Sequence, residues 1–286
     1  MVLLNELSFG YTKKMPLFQG LNLEVRPGSM CGLLGKNGAG KTSLLRIIAG
    51  LLFPQGGRSE VLGTLSEQRR PEVLSDIYLV PEEFALPEIS ARDFVTTRAP
   101  FYPRFDGELL AQSMAELEVP EREKLHSMSY GQKKKFLIAF GIAAGSRLVL
   151  LDEPTNGLDI PSKSQLRRLL IGSLAEDRAF VVSTHQVRDL ASILDPIVIL
   201  DEGKVLLDVD LETLGRRLTS SIRAQEPENA QAIWYERVPG GYQVLEENEG
   251  AAPGEVDIEL LFNAVTQEPQ RILRLLDGAT KSGGNQ

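Results

Sequence analysis

Gly35-Lys36-Asn37-Gly38-Ala39-Gly40-Lys41-Thr42 fits the spacing G-x-x-x-x-G-K-[ST], and its flanks decide how it is read. Before it, Met30-Cys31-Gly32-Leu33-Leu34 reads as a buried strand. After it, Leu44, Leu45, Ile47 and Ile48 carry helical spacing from Lys41 to Gly50. Strand, glycine-rich loop and helix together aim backbone N–H groups and the positive end of a helix dipole at phosphate oxygens. Asn37, Gly38, Ala39, Gly40, Lys41, Thr42 and Ser43 are therefore candidate nucleotide contacts. Lys41 would hold the β- and γ-phosphates, and Thr42 would be a Mg²⁺ ligand. A glycine-rich turn without chemistry is the competing reading, and the strand and helix on either side count against it.

Outward from this loop, Leu148-Val149-Leu150-Leu151-Asp152-Glu153 is an apolar run ending in two acids, the form of a buried strand that delivers carboxylates to a sheet's carboxyl edge. Asp152 can serve Mg²⁺, and Glu153, facing differently, can orient and deprotonate an attacking water. The plainer reading of such a pair is that it simply meets solvent. Ser129-Tyr130-Gly131-Gln132 opens a helix rich in Phe136, Leu137, Ala139, Phe140 and Ile142, a second helix start suited to anions. Asn156-Gly157-Leu158-Asp159 follows the acidic strand. His185 follows the strand Phe180-Val181-Val182-Ser183, where a γ-phosphate sensor would stand, whereas His126 has only a structural context.

The rest of the chain frames these motifs. Strands are predicted over Val2 to Phe9 and Leu21 to Val25, the latter after a Gly20 turn. Helices are predicted over Gly107 to Leu117 and Tyr130 to Ala144, inside a helical insertion from about Leu86 to Ala144. Strands then alternate with helices after Pro161 and from Gln186, with a last strand over Ile197 to Leu200, as in a parallel sheet covered on both faces. Beyond Gly215 the pattern loosens to a hairpin around Pro239-Gly240-Gly241 and a helix capped by Asp257. The composition, 42% hydrophobic and 24% charged with a formal charge of −8 over 286 residues, is that of a globular chain and gives no bulk basic charge for nucleic acid. No stretch approaches the roughly 18–20 apolar residues of a membrane span, and the amino-terminal stretch lacks signal-peptide features, so a cytoplasmic location is expected. Cys31 is the single cysteine, so no internal disulfide is possible.

In this order the motifs resemble the nucleotide-binding domains of ATP-binding cassette proteins, from about Val2 to Leu214. Tyr11 falls at the aromatic A-loop, Gly35 to Thr42 at Walker A, and Tyr78-Leu79-Val80-Pro81-Glu82 at the Q-loop. Ser129 to Gln132 falls at the signature, Leu148 to Glu153 at Walker B, Asn156 to Asp159 at the D-loop, and His185 at the switch. The resemblance implies an α/β fold: a P-loop NTPase (RecA-like) core, an antiparallel β subdomain, a helical subdomain at about 86–144, and a small C-terminal α+β appendage at 215–286 for dimerisation or regulation. It implies that Tyr11 stacks on adenine, although an exposed turn tyrosine after Phe9-Gly10 is the alternative. It further implies that Ser129, Gly131, Gln132 and Asp159 complete the site of a second copy packed head to tail around ATP and Mg²⁺.

Two positions depart from the family pattern. The signature has Tyr130 in place of its first glycine, and the Q-loop ends in Glu82 instead of glutamine. Glutamate keeps an oxygen for Mg²⁺ but loses the amide donor and adds charge, which would tune metal dependence; a solvated glutamate beside Glu83 is the other reading. The implied function is transport through a separate membrane permease, with the chain peripheral on the inner face of the membrane. Phe84 to Phe105 covers the permease-contact region, unless the aromatic loop Phe101 to Asp106 packs on its own helices. Ser-Tyr-Gly-Gln-Lys and Phe-Tyr-Pro-x-Phe-Asp look most like cassettes of ABC-2-type exporters. Soluble relatives acting on DNA or ribosomes are the alternative, against which stand one phosphate loop, no sustained heptads and the acidic balance. A non-hydrolysing regulatory cassette is opposed by the presence of both Lys41 and Glu153.

Overall fold

The structure, a computed structural model, describes residues 1–12, 14–120, 123–228 and 232–277; of the expected appendage, 229–231 and 278–286 lie outside the described residues. The chain runs β1 (Val2–Phe9), β2 (Phe18–Val25), β3 (Met30–Leu34), α1 (Lys41–Ile48), β4 (Gly56–Val61), β5 (Thr64–Leu65), α2 (Pro71–Leu74), β6 (Ile77–Val80), α3 (Ala91–Arg98), α4 (Gly107–Glu116) and α5 (Tyr130–Ala143). It continues through β7 (Leu148–Asp152), α6 (Ile160–Gly172), β8 (Ala179–Thr184), β9 (Ile197–Asp201), β10 (Lys204–Val209), α7 (Leu211–Arg217), β11 (Leu218–Arg223), β12 (Trp234–Val238), β13 (Gly241–Glu247), α8 (Ile258–Gln267) and α9 (Pro269–Asp277).

Three sheets result. β3, β7 and β8 are buried at every residue and apolar except where β7 ends in Asp152 and β8 in Ser183-Thr184, as strands covered on both faces must be up to their carboxyl ends. They lie inside a six-stranded sheet of order β10-β9-β3-β8-β7-β6, parallel except for the edge strand β10. β1 instead alternates toward the core at Val2 and Leu4, and joins the antiparallel sheet β2-β1-β4-β5. β11, β13 and β12 form a third, antiparallel sheet. Because β6, β7, β8 and β3 are parallel neighbours, the loops after them emerge along one edge. Those loops carry Glu82, Glu153, His185 and the Gly35–Thr42 turn.

The insertion between β6 and β7 is helical. α5 is buried from Phe136 to Ala143, the state of a helix apolar all round. Phe94, Tyr102, Phe105 and Tyr78 surround Phe140, with ring centroids 5.3–5.9 Å away. Gly141 lets α5 lie directly on Tyr78, since a Cβ there would come within 2.4 Å of the ring. The aromatic loop thus divides: Tyr102 and Phe105 pack on the helices of their own subdomain, and Phe101 alone of the three remains exposed.

Four details differ from the sequence reading. β2 starts at Phe18, not Leu21. Gly20, with φ +73°, is a bulge residue within the strand and not a turn: Leu7 pairs Leu21 while Phe9 pairs Phe18, leaving one extra residue on β2. The helix expected from Gln186 is two short 3₁₀ turns, Val187–Asp189 and Ala191–Ile193. Leu190 breaks between them at φ −129°, and Pro196 disfavours helical backbone at Asp195, so too few residues remain for a stable α-helix. The expected boundary at 214/215 falls inside α7. Beyond it, the hairpin forms as expected and Asp257 caps α8 through the Leu260 N–H, but β11 and α9 were not anticipated. Buried residues of α8, including Leu261 and Val265, join the same apolar cluster as Ile199, Leu207 and Val187. Among the described residues no helix is long and apolar enough to cross a membrane.

Candidate functional site

The loop after β3 closes through glycines with positive φ, Gly38 at +85° and Gly40 at +109°. Gly40 precedes α1 without any side-chain cap, so the first-turn N–H groups of α1 have no competing side chain from that position. A Cβ at Gly40 would lie 2.7 Å from the Phe18 ring, so the antiparallel sheet also fixes this turn. The loop floors a cleft of about 560 Å³ whose lining includes Tyr11, Asn37, Lys41, Thr42, Glu82 and Glu153. Gly38, Gly40 and Ser43 line it too, whereas Ala39 is buried outside it and can offer only backbone.

Lys41 is held ready inside this cleft. Its Nζ donates to the Gly35 carbonyl at 2.7 Å and the Lys36 carbonyl at 3.3 Å, and lies 3.4 Å from Glu153 Oε1. Asp152 ends β7 and accepts from the Ser183 hydroxyl at 2.5 Å. Glu153 follows with φ +46°, a left-handed conformation that turns its side chain away from the line of Asp152. Glu153 Oε1 pairs with His185 Nδ1 at 2.8 Å, and Oε2 accepts from the His185 N–H at 3.3 Å. The two contacts hold the imidazole ring against the carboxylate from both its side chain and its backbone. Buried at 3% exposure, Glu153 is a carboxylate surrounded by donors at the phosphate end of the cleft.

The donors expected for Mg²⁺ are the Thr42 hydroxyl, Asp152 and Glu82. Glu82 lines the cleft and its Oε1 accepts from Asn156 Nδ2 at 2.9 Å, while Asp152 stands behind Glu153 and does not line the cleft. Among the described residues no three His, Cys, Asp and Glu side chains form a metal cage. Mg²⁺ shared with phosphates needs only one or two carboxylates beside water, so these residues suit it. Tyr11 is 63% exposed, is set edge-on to Phe9, and its hydroxyl bonds Ser43 Oγ at 2.8 Å. If it stacks on adenine, Tyr11→Ala weakens ATP binding by about 1–3 kcal/mol in calorimetry; an unchanged affinity would leave it a turn residue.

Ser129, Gly131, Gln132 and Asp159 do not line this cleft. Ser129 Oγ accepts from the Gln132 N–H at 3.2 Å while Gln132 Oε1 accepts from the Ser129 N–H at 2.8 Å, a reciprocal cap of α5. Gln132's side-chain oxygen is thereby committed to the cap, while the serine O–H proton stays available to a ligand. Asp159 caps α6 through the Ser162 N–H, and bonds from Ser162 hold its carboxyl below the usual range.

The sequence reading missed Lys134. It is fully buried and donates to the Glu153 carbonyl at 2.8 Å. Burial pushes its ammonium down to about 8, against the opposing pull of Glu82, Glu153 and Asp152. No local signal singles it out, because Lys133, Lys134 and Lys135 are consecutive and read alike.

Residues 18–156 match the ABC transporter family. The bacitracin transport ATP-binding protein BcrA of Bacillus licheniformis is 30% identical over 220 residues, 74% of this chain and 71% of that one. The cobalt import ATP-binding protein CbiO of Rhodobacter capsulatus is also 30% identical, over 71% of this chain and 76% of its own. In fold, the chain is similar to the dimeric structure of the ATP-binding cassette MJ0796 bound to ADP and Pi, with a TM-score of 0.66 and 24% identity over 74% of this chain and 99% of that one. Relatedness of this extent, reaching well beyond the phosphate loop on both sides, means that the chain belongs to the ABC transporter family as an ATP-binding, ATP-hydrolysing cassette.

Proposed function

We propose that two copies of this cassette close head to tail on ATP and Mg²⁺, and that hydrolysis drives transport through a separate membrane permease, which holds the chain at the inner face of the membrane. The observation that carries this reading is division of the candidate site: Lys41, Thr42, Glu82 and Glu153 share one cleft, while the Ser129 turn and Asp159 lie outside it. Each copy would supply what the other lacks. A dimeric cassette of similar fold bound to ADP and Pi supports the pairing of two copies.

In this mechanism Lys41 exchanges its loop carbonyls and Glu153 for β- and γ-phosphate oxygens. Glu153, oriented by His185, accepts the proton of the attacking water. Thr42 and Asp152, with Glu82, would hold Mg²⁺, which neutralises charge on the phosphates when bound. His185 stays against Glu153 and senses the γ-phosphate. The described residues beyond 215 form an appendage whose α8 packs into the same apolar cluster as the cassette, in a dimerisation or regulatory role. Export is favoured by the Ser129-to-Lys133 and Phe101-to-Asp106 forms, and exposed Phe101 is the aromatic of that loop left for the permease. Import is the second reading, favoured by the cobalt import relative.

Purified chain is expected to release phosphate from ATP with Mg²⁺ and to stop on chelation by EDTA. Affinity capture from membranes is expected to bring down an integral-membrane protein. Capture of ribosomes or DNA instead would overturn the transport reading.

A further inference from the structure

The two departures from the family pattern meet in the structure. The Tyr130 hydroxyl donates to the Glu82 carbonyl at 2.5 Å. Its ring stacks on Phe84, with centroids 5.2 Å apart and planes at 14°. One helical turn on, Lys134 Nζ lies 5.0 Å from the Tyr130 ring centroid while donating to the Glu153 carbonyl at 2.8 Å. From the D-loop, Asn156 Nδ2 donates to Glu82 Oε1 at 2.9 Å, and Asn156 Oδ1 accepts at 3.1 Å from Gln186, the neighbour of His185. Gly157 makes room for this arrangement, since a Cβ there would lie 2.7 Å from the Tyr130 ring.

A glycine at position 130 could form none of the ring or hydroxyl contacts. The aromatic side chain therefore gives this cassette a link between α5 and the Glu82 loop that the common signature lacks. Lys134 is fully buried and fixes the inner end of the link. Tyr130, 43% exposed, forms its outer end.

We propose that Tyr130 and Lys134 are positioning residues for hydrolysis: they fasten the signature end of α5 to the Glu82 loop and to the Glu153 turn. A phosphate engaging the start of α5 then sets the Glu82 carboxylate and Glu153 in the same chain, not only in the partner copy. This rests on the head-to-tail ATP site proposed above.

Tyr130→Phe keeps the ring and removes only the donor. Its kcat is expected to fall about tenfold, the loss of one well-aligned hydrogen bond, with KM for ATP and Tm unchanged. Hydrogen exchange gives a readout independent of turnover. In a Glu153→Gln background, ATP is expected to protect residues 35–45 and 81–86. Adding Tyr130→Phe leaves 35–45 protected and removes protection of 81–86, and Lys134→Met, apolar and of similar length, gives the same split. Equal protection of 81–86 with and without the hydroxyl overturns the proposal, as does an unchanged kcat or a fall in kcat matched by a fall in Tm. If ATP protects neither segment in the parent, the ATP-site reading falls and this proposal falls with it.

Discussion

Replacing Glu153 with glutamine is expected to lower kcat by about 10²–10⁴-fold, the span of general-base contributions, while ATP stays bound. The substitution keeps the side chain's shape, and its amide oxygen can still accept from His185 Nδ1, 2.8 Å from the carboxylate in the native chain. What it removes is the ability to take a proton. With hydrolysis stopped, the bridging nucleotide persists, and light scattering at saturating Mg-ATP should report a dimer where the nucleotide-free variant is a monomer. A variant that stays monomeric under those conditions would sink the head-to-tail arrangement, and a kcat within threefold of the parent would remove Glu153 from the chemistry.

Lys41→Ala is expected to act on binding instead. Its ammonium sits in the cleft with little solvent to lose and is already aligned by the Gly35 and Lys36 carbonyls. Truncating one member of a buried charge pair costs about 2–5 kcal/mol, so ATP affinity should drop by roughly 30-fold or more in calorimetry. The same change strips Glu153 of its cation 3.4 Å away and leaves His185 as its remaining close donor. An affinity within a few fold of the parent would mean that backbone amides alone hold the phosphates.

These two residues were legible because the chemistry is written in contiguous sequence: a glycine loop ending in Lys-Thr, and an apolar strand ending in Asp-Glu. Parallel pairing of β3, β8 and β7 then does the rest, since strands that end together bring their next residues together. Lys134 was not legible in the same way. Three consecutive lysines on a helix read as a solvated face, and only the tertiary path of α5 shows that the middle one points inward. Tyr130 was noticed as a departure from pattern, but its partner was a backbone carbonyl 48 residues away, invisible to any local reading. Gly20 and Gln186 were misread for a related reason. A glycine with positive φ serves a bulge as well as a turn, and apolar spacing over too few residues stops at 3₁₀ turns.

The one-way sheet has a consequence for how an acidic chain meets a polyanion. α1 leads back from the edge where β3 ends, so its uncapped amino end faces that edge. That end presents about half a positive charge, effective over the first turn and screened beyond roughly 8–10 Å at physiological salt. With a formal charge of −8, the molecule as a whole repels a nucleotide in dilute electrolyte. The sign of the interaction therefore depends on distance: the nucleotide is disfavoured in the approach and drawn in only once it lies within a turn's length of that edge, so that capture is a property of contact and not of long-range attraction.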